Sequence, residues 1–414
     1  MKLHSRCIRD ALKFCGGVHT VAFMVADLTE LHDKFHQIFG PGRAGKVHVV
    51  RAPGRVNLIG DHTDYNDCFV FPMAIESEVR LICRARTDAA VRLSSTVYPR
   101  ELVELSLQRK IERADPQWSN YVRGVAAQLI AAGIPLVGMD ALIANTLPVG
   151  GGLSSSAAVE VATALALLTL AGAEMDTTRL SLLCQKAEHE YAGVPCGIMD
   201  QTIVSSAKAG HAMLLDCRDN HKTFVKLNPH ELRVVIVNSM VRHELSGGEY
   251  AQRRKQCNEG VAVFQRGNSA VRALRDVTMK QLEETKADLS DVVYRRCRHV
   301  VGEHHRTAEA AKALAEQRYE HCGELMVKSH QSLRDDYEVS CPELDFLADE
   351  AMKTKGIYGA RMTGGGFGGS IVALAQPRAV EPLAEHLHKT YTAKFGRQPS
   401  VLVTTATAGA SILE

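Results

Sequence analysis

Residues 147–160, LPVGGGLSSSAAVE, run three consecutive glycines and three consecutive serines straight into an alanine-rich helical segment, AAVEVATALALLTLA. Gly150, Gly151 and Gly152 carry no Cβ, so the backbone there can take positive φ and approach a ligand closely. The helix behind Leu153, Ser154, Ser155 and Ser156 presents unpaired N–H groups and the positive end of its dipole. Together these predict a phosphate cradle with an anion seated over the loop. Gly/Ser composition alone describes a flexible linker, but a linker is not clamped between Leu147-Pro148-Val149 and a strongly helical run.

Two other glycine patterns compete for a nucleotide, and both fail on context. Gly40-Pro-Gly-Arg-Ala-Gly45-Lys46-Val47 has P-loop spacing, yet Val47 occupies the place of the magnesium-binding hydroxyl and the following VHVVRAP alternates as a strand does. Gly364 to Gly369, GGGFGG, satisfies the dinucleotide fingerprint by spacing, but Ser370-Ile-Val-Ala-Leu-Ala after it reads as a strand where the fingerprint needs a helix.

The 414 residues are 45% hydrophobic, enough for a large core and more in keeping with two domains than one. A net charge of +2 with both signs interspersed gives no field that would draw the chain to nucleic acid or an acidic membrane, leaving small molecules as the expected ligands. Eleven cysteines without a Cys-x-x-Cys pair argue against a disulfide framework and a zinc site, and fit a reducing cytoplasm. No apolar run is long enough to span a bilayer, Val161 to Ala173 being stopped by Glu174. The basic start lacks a clean apolar core, so a signal peptide is not expected; Met24, just before the capping box Asp27-Leu-Thr-Glu30, offers an internal translation start.

Strands are predicted at Val47–Arg51, Val56–Ile59, Val79–Arg84 and Val234–Asn238. Helices are predicted at Asn120–Ala132, Ser156–Ala171, Thr178–Tyr191, Ala308–Arg318 and Cys322–Leu333, which makes an α/β or α+β chain of mixed sheets. The expected division is an extension over residues 1–26, a first domain over 27–225 and a second over 226–414.

Two further clusters carry chemistry. Arg51-Ala-Pro-Gly-Arg55-Val-Asn-Leu-Ile-Gly60-Asp61-His62-Thr63-Asp64-Tyr65-Asn66 ends an apolar strand in a tight polar turn. Asp61, His62 and Asp64 suit the hydroxyls of a sugar or polyol there, while an ordinary β-turn or a metal site reads equally well from the residues alone. Gly193-Val-Pro-Cys196-Gly197-Ile-Met-Asp200-Gln201 is a rigid loop entering a helix. Asp200 by itself is most often an N-cap; beside a phosphate loop and a hydroxyl-binding turn it becomes the best-placed carboxylate to orient an attacking hydroxyl and accept its proton. Glu188 in QKAEHEYAG could serve a magnesium ion with a loop serine, although a solvated helical glutamate is commoner. Cys196 reads as a small packing residue.

In this order GRVNLIGDHTDYN, LPVGGGLSSSAAVEVA, GVPCGIMDQ and MTGGGFGGS resemble the signature motifs of the galactokinases, members of the GHMP kinase superfamily. Trp118-Ser-Asn-Tyr-Val, Val241 to Tyr250 and His330 to Asp345 extend the likeness from about Val47 to near the end. The resemblance implies a two-domain GHMP kinase fold with the active site in the cleft, and transfer of the ATP γ-phosphoryl group, with Mg2+, to the C1 hydroxyl of α-D-galactose. It implies Asp200 as base or orienting carboxylate and Arg55 as the cation beside it. Asp61, His62, Asp64, Gly197 and Tyr250 match sugar positions, Gly150 to Ser156 cradle the phosphates, Ser156 and Glu188 match magnesium positions, and Trp118 flanks the adenine pocket. A monomer is expected. A kinase for N-acetylgalactosamine or another sugar, a galactose/ATP sensor that binds a transcriptional repressor, and an NAD-binding dehydrogenase are the competing readings.

The chain departs from the family's usual residues at two places, with Asp61 where Glu is usual and Cys68 where Gly is usual. The shorter Asp61 carboxylate lies about one methylene farther from a sugar hydroxyl, which predicts weaker selection at C6. Turnover of galactose against 6-deoxygalactose should discriminate less in this protein than in Asp61→Glu; identical selectivity in both would refute the expectation.

Overall fold

A computed structural model describes residues 28–41, 45–148, 151–242 and 248–414. The expected extension 1–26, Met24, the Asp27 capping box and Gly150 lie outside them, as does much of the segment Val241 to Tyr250. In chain order the elements are α1 (Leu28–Phe39), β1 (Val47–Asn57), β2 (Phe69–Val70), β3 (Pro72–Ala85), β4 (Ala90–Ser95), β5 (Leu102–Ser106), α2 (Ser119–Ala131), β6 (Met139–Asn145), α3 (Ser155–Ala171), α4 (Thr177–Ala187), α5 (Met199–Ser206), β7 (His211–Asp216), β8 (Lys222–Lys226), β9 (Arg233–Arg242), α6 (Glu249–Gly267), α7 (Met279–Glu284), α8 (Asp291–Ala315), α9 (Tyr319–Asp335), α10 (Pro342–Met352), β10 (Ile357–Thr363), β11 (Gly368–Ala375), α11 (Val380–Phe395), β12 (Ser400–Thr404) and β13 (Ser411–Ile412).

The first half is built on a six-stranded sheet in the order β13-β1-β3-β6-β4-β5, antiparallel except for the parallel pair β4 and β6. One face takes α3, whose alanines let it lie close; it is apolar almost all round and buried from Ala157 to Leu168 except at Val159 and Leu165. Gly172, at φ 62°, ends that helix. The opposite face takes α1, where Leu31, Phe35 and Phe39 pack on Val49, Ile82, Leu142 and Ala144. The second half has an antiparallel four-stranded sheet, β10-β11-β9-β12, against α9, α10 and α11. A third sheet, β2-β7-β8, completes the architecture.

Several expectations are corrected in detail. The two predicted strands at Val47–Arg51 and Val56–Ile59 are one strand, carried through Pro53-Gly54 by a register shift between Pro53 and Arg55 against β3. The helix predicted over Thr178–Tyr191 starts at an Asp176 cap and gives way to a wider turn at Glu188–Ala192, closed by Gly193 at φ 78°. The predicted Ala308–Arg318 helix is the end of the 25-residue α8. Strand β8 ends at Lys226 in the three-stranded sheet and β9 opens the four-stranded one, but β13 at the chain's end returns to pair with β1. The strand after the Gly364–Gly369 turn is β11, which gives that turn no helix to open.

The second half depends on a close crossing of α9 over β10, where a Cβ on Gly323 would stand 1.9 Å from the Tyr358 carbonyl oxygen. Gly323→Ala should therefore cost about 1–3 kcal/mol by forcing backbone apart, read as a lowered denaturation midpoint with an unchanged m-value.

Candidate active site

The cradle forms because its glycines meet other backbone at close range. Gly152, at φ 72°, and Ser154, at φ 60°, bend the chain before α3. A Cβ on Gly54 would fall 2.2 Å from Leu147 Cδ2 and 2.9 Å from the Leu153 carbonyl, so only glycine lets β1 run against the loop. The turn after β10 closes from the other half: a Cβ on Gly364 would lie 3.0 Å from the Gly152 carbonyl, and Ser370 Oγ donates to the Gly151 carbonyl at 2.8 Å.

Arg55, at the far end of β1, reaches across this loop. Its Nε and Nη2 donate to the two oxygens of Asp200 at 2.8 and 2.9 Å, and its Nη1 donates to the Gly152 carbonyl at 2.5 Å. Ser154 Oγ donates to Asp200 Oδ2 as well. Asp200 is the second residue of α5, not its N-cap; Ile198 holds that position without a side-chain cap, so the simplest structural explanation of Asp200 falls away. Its carboxylate, 24% exposed, faces a cavity of about 480 Å³.

The polar turn after β1 forms another wall. Asp64 Oδ1 accepts from the Tyr65 N–H at 3.0 Å, and its carboxyl packs so tightly on Gly197 that a Cβ there would be 1.9 Å away. Burial, and then the Asp200 charge, push the Asp64 carboxyl up to about 7. His62, at φ 62°, has Nε2 3.2 Å from the Gly365 carbonyl and Nδ1 3.0 Å from the Tyr65 hydroxyl. A carbonyl only accepts, so Nε2 carries the proton and Nδ1 accepts from the tyrosine. Burial, assisted by His299, pulls that ring down to about 3, so His62 is neutral at physiological pH. Asp61 is buried in an ion pair with Arg361, 2.6 Å, and accepts from the Gly364 N–H at 3.1 Å.

Glu188 sits in the wide turn after α4. Ser156 and Cys196 donate to it, and Gln201 Nε2 donates to Glu188 at 2.6 Å and to buried Glu160 at 3.0 Å. Burial and the Asp200 charge hold the Glu188 carboxyl above the ordinary range. Cys196 has its thiol pushed up by burial and by Glu188, consistent with packing and not reactivity.

Arg55, Asp61, His62, Asp64, Gly151, Gly152, Leu153, Ser154, Ser155, Ser156, Glu188, Gly197, Asp200 and Tyr250 thus share one cavity. Trp118 lines an adjoining cavity of about 230 Å³ that shares Ser155, Ser156 and Tyr121 with the first. There its ring stacks on Tyr98, with centroids 6.0 Å apart and planes 7° apart. Reading the sequence missed the parts played by Gln201, Tyr65 and Arg361. The arginine inside the apolar strand IYGARMT was the one visible signal among them.

The segment 33–85 matches the galactokinase galactose-binding signature, and 120–208 and 310–393 match the GHMP kinase N-terminal and C-terminal domains. The chain is 45% identical over 385 residues to the galactokinase of Chloroflexus aggregans, covering 93% of this chain and 97% of that one. It is 43% identical over 392 residues to human galactokinase, covering 93% and 96%. The chain belongs to the galactokinase family. The crystal structure of Lactococcus lactis galactokinase complexed with galactose superposes with a TM-score of 0.89 at 34% identity, covering 93% of this chain and 99% of that one. A Methanococcus jannaschii mevalonate kinase, 18% identical with a TM-score of 0.61, shares the fold. As a galactokinase-family kinase the chain uses ATP as co-substrate.

A buried acid raised to about 7 weighs on the folded state. Its stabilising contribution is fully present below pH 4, where Asp64 is protonated folded or unfolded, and is lost as pH rises through 7. Asp64→Asn should therefore stabilise the ligand-free protein at pH 8, on the order of 2 kcal/mol, and this gain should vanish by pH 4 in denaturant titrations.

Proposed function

We propose that this chain is a galactokinase: it transfers the γ-phosphoryl group of ATP to the C1 hydroxyl of α-D-galactose, giving galactose 1-phosphate and ADP. The observation that carries this reading is the junction of Arg55, Asp200 and Ser154 in the cavity that also holds the Gly151–Gly152 loop and the Asp61–Asp64 turn. A carboxylate, an always-charged guanidinium and a phosphate cradle around one reacting oxygen are what phosphoryl transfer calls for.

Asp200, held bidentately, presents its remaining acceptor capacity to the C1 hydroxyl and takes its proton as the new P–O bond forms. Arg55, fixed by Asp200 and the Gly152 carbonyl, stands beside the charge that develops between sugar oxygen and phosphorus. Asp61, Asp64, Gly197 and Tyr250 form the sugar wall; His62, whose ring nitrogens are both engaged by protein groups, shapes that wall. The amides at Gly151 to Ser156 and the α3 dipole receive the phosphates, and the cavity beside Trp118 receives the base. Ser156 and Glu188 supply hard oxygen donors on the cavity wall, a set that fits Mg2+. When bound, that ion neutralises charge on the transferred group. The division into a sugar- and phosphate-loop domain over 27–225 and a second over 226–414 belongs to the same proposal. The free cysteines among the described residues support a cytoplasmic site of action, and one chain carrying every proposed site residue supports action as a monomer.

A coupled assay of ADP formation tests the reading. Turnover should require both galactose and Mg2+, and Asp200→Asn should lose ~10²-fold or more in kcat while both substrates still bind by calorimetry. Galactose-independent ADP release would count against the sugar; near-normal turnover in Asp200→Asn would reduce that carboxylate to a structural ion-pair partner.

A further inference from the structure

Glu160 is a carboxylic acid inside α3, a helix that after its opening serines is otherwise alanine, leucine, valine and threonine, and it has no exposed surface. The reaction described above gives it no part. Its Oε1 has no hydrogen-bond partner among the described residues, and its Oε2 accepts from Gln201 Nε2 at 3.0 Å. Gln201 is equally enclosed, and the same nitrogen donates to Glu188 Oε2 at 2.6 Å. Glu188 lines the cavity; Glu160 and Gln201 lie behind that wall.

Burying an acid and an amide is costly where polar atoms go unpaired, and Glu160 Oε1 and Gln201 Oε1 both do. An apolar pair of similar volume would pack these helices at lower cost, so the polar pair needs a reason other than packing. Direction supplies one. The amide must present nitrogen to the Glu188 carboxylate, since its oxygen only accepts, and the second N–H then meets Glu160. Glu160, fixed in α3, so keeps the amide from turning on its own stem. It lies four residues after Ser156, on the same face of that helix, and Ser156 donates to Glu188. Cys196 Sγ donates to Glu188 Oε2 from the loop before α5, so two donors hold that oxygen. The path of α5 does not hang on the amide: Arg55 holds Asp200, and Ser181 of α4 donates to the Gln201 carbonyl at 3.2 Å.

We infer that Gln201 is a positioning residue for cation binding, its amide, anchored on Glu160, holding the Glu188 carboxylate beside Ser156 and in register with Asp200. The inference rests on the galactokinase reading above, in which Ser156 and Glu188 hold Mg2+, and adds to it two residues behind the cavity wall. Asp200 and Gln201 are consecutive residues of one helix, so the reacting carboxylate and the carboxylate for the cation are set by one rigid element.

Calorimetry on the whole chain with a non-hydrolysable ATP analogue, in Mg2+ and again in EDTA, tests this without any sugar. Mg2+ should tighten binding to the unsubstituted protein. Gln201→Met should remove most of that gain while leaving the affinity in EDTA within about twofold, and the Mg2+ concentration for half-maximal galactose-dependent turnover should rise about tenfold. Gln201→Glu keeps the shape without the two donors and should behave alike. In a Glu188→Gln background either substitution should add less than about twofold, because amide and carboxylate act as one unit. Binding that weakens equally in Mg2+ and EDTA, a loss confined to Gln201→Met, full additivity in the double variant, or an affinity indifferent to Mg2+ in the unsubstituted protein would overturn the inference. Should Gln201→Met fail to fold, Gln201→Glu carries the same comparison. Absence of galactose-dependent turnover in the unsubstituted protein would instead sink the galactokinase reading, and the sugar-free calorimetry would still decide the part played by Gln201.

Discussion

The site is organised around one buried guanidinium. Arg55 sits at the end of the long strand β1, and its three donor nitrogens fasten the phosphate loop at Gly152 and the start of α5 at Asp200. Because the fork is planar and charged at every accessible pH, these bonds fix direction as well as distance. Ser154, forced into a left-handed conformation, completes the set by turning its hydroxyl onto the same carboxylate. Loop, strand and helix are therefore set relative to one another by a single side chain, and removing either partner would leave a charge in a largely water-poor pocket.

Around that junction carboxyl groups outnumber guanidinium groups. Asp61, Asp64, Glu160, Glu188 and Asp200 approach one another, against Arg55 and the buried Arg361. Burial comes first among the causes that raise Asp61, Asp64, Glu160 and Glu188, and the Asp200 charge adds to the last three of these. Crowding of buried carboxyl groups works against the folded state, and groups perturbed in this way by burial and by one another's charge are concentrated at functional sites. His62 is treated in the opposite way. It is kept neutral by burial and locked in one tautomer, so the ring itself carries no charge at physiological pH.

What the sequence made legible and what it hid divide along the range of the interactions. The glycine-serine bend, the helix behind it and the polar turn after β1 are local, and their residue types dictate their geometry within a few positions. The rejection of the Gly364–Gly369 fingerprint was equally local, since the residues after it are strand formers. Pairings that span the chain left no such trace. That Val47–Asn57 is one strand depends on β3 accommodating a bulge at Pro53, and that Asp200 lies inside its helix depends on Arg55, 145 residues earlier, claiming its carboxylate. The wide turn that aims Glu188 at the cavity is a change of helical pitch which amphipathic periodicity does not register.

The seam between the halves is where these long-range terms accumulate, and this explains why the pocket lies there. Thr363 Oγ1 donates to the Asn57 carbonyl at 2.9 Å and accepts the Asn57 N–H at 3.2 Å, so the end of β10 is tied to the end of β1 just before each chain segment enters the cavity. The glycine turn that follows Thr363 then presses on the phosphate loop and, through Gly364 and Gly365, touches Asp61 and His62. Two turns with little rigidity of their own gain a fixed geometry by leaning on each other. At the far edge of the first sheet, β13 pairs with β1, so the strand that carries Arg55 is held by the chain's last residues as well as by β3. A strand supported on both sides over its outer length can carry a buried charge at its inner end without fraying, and on that support the orientation of Asp200 depends.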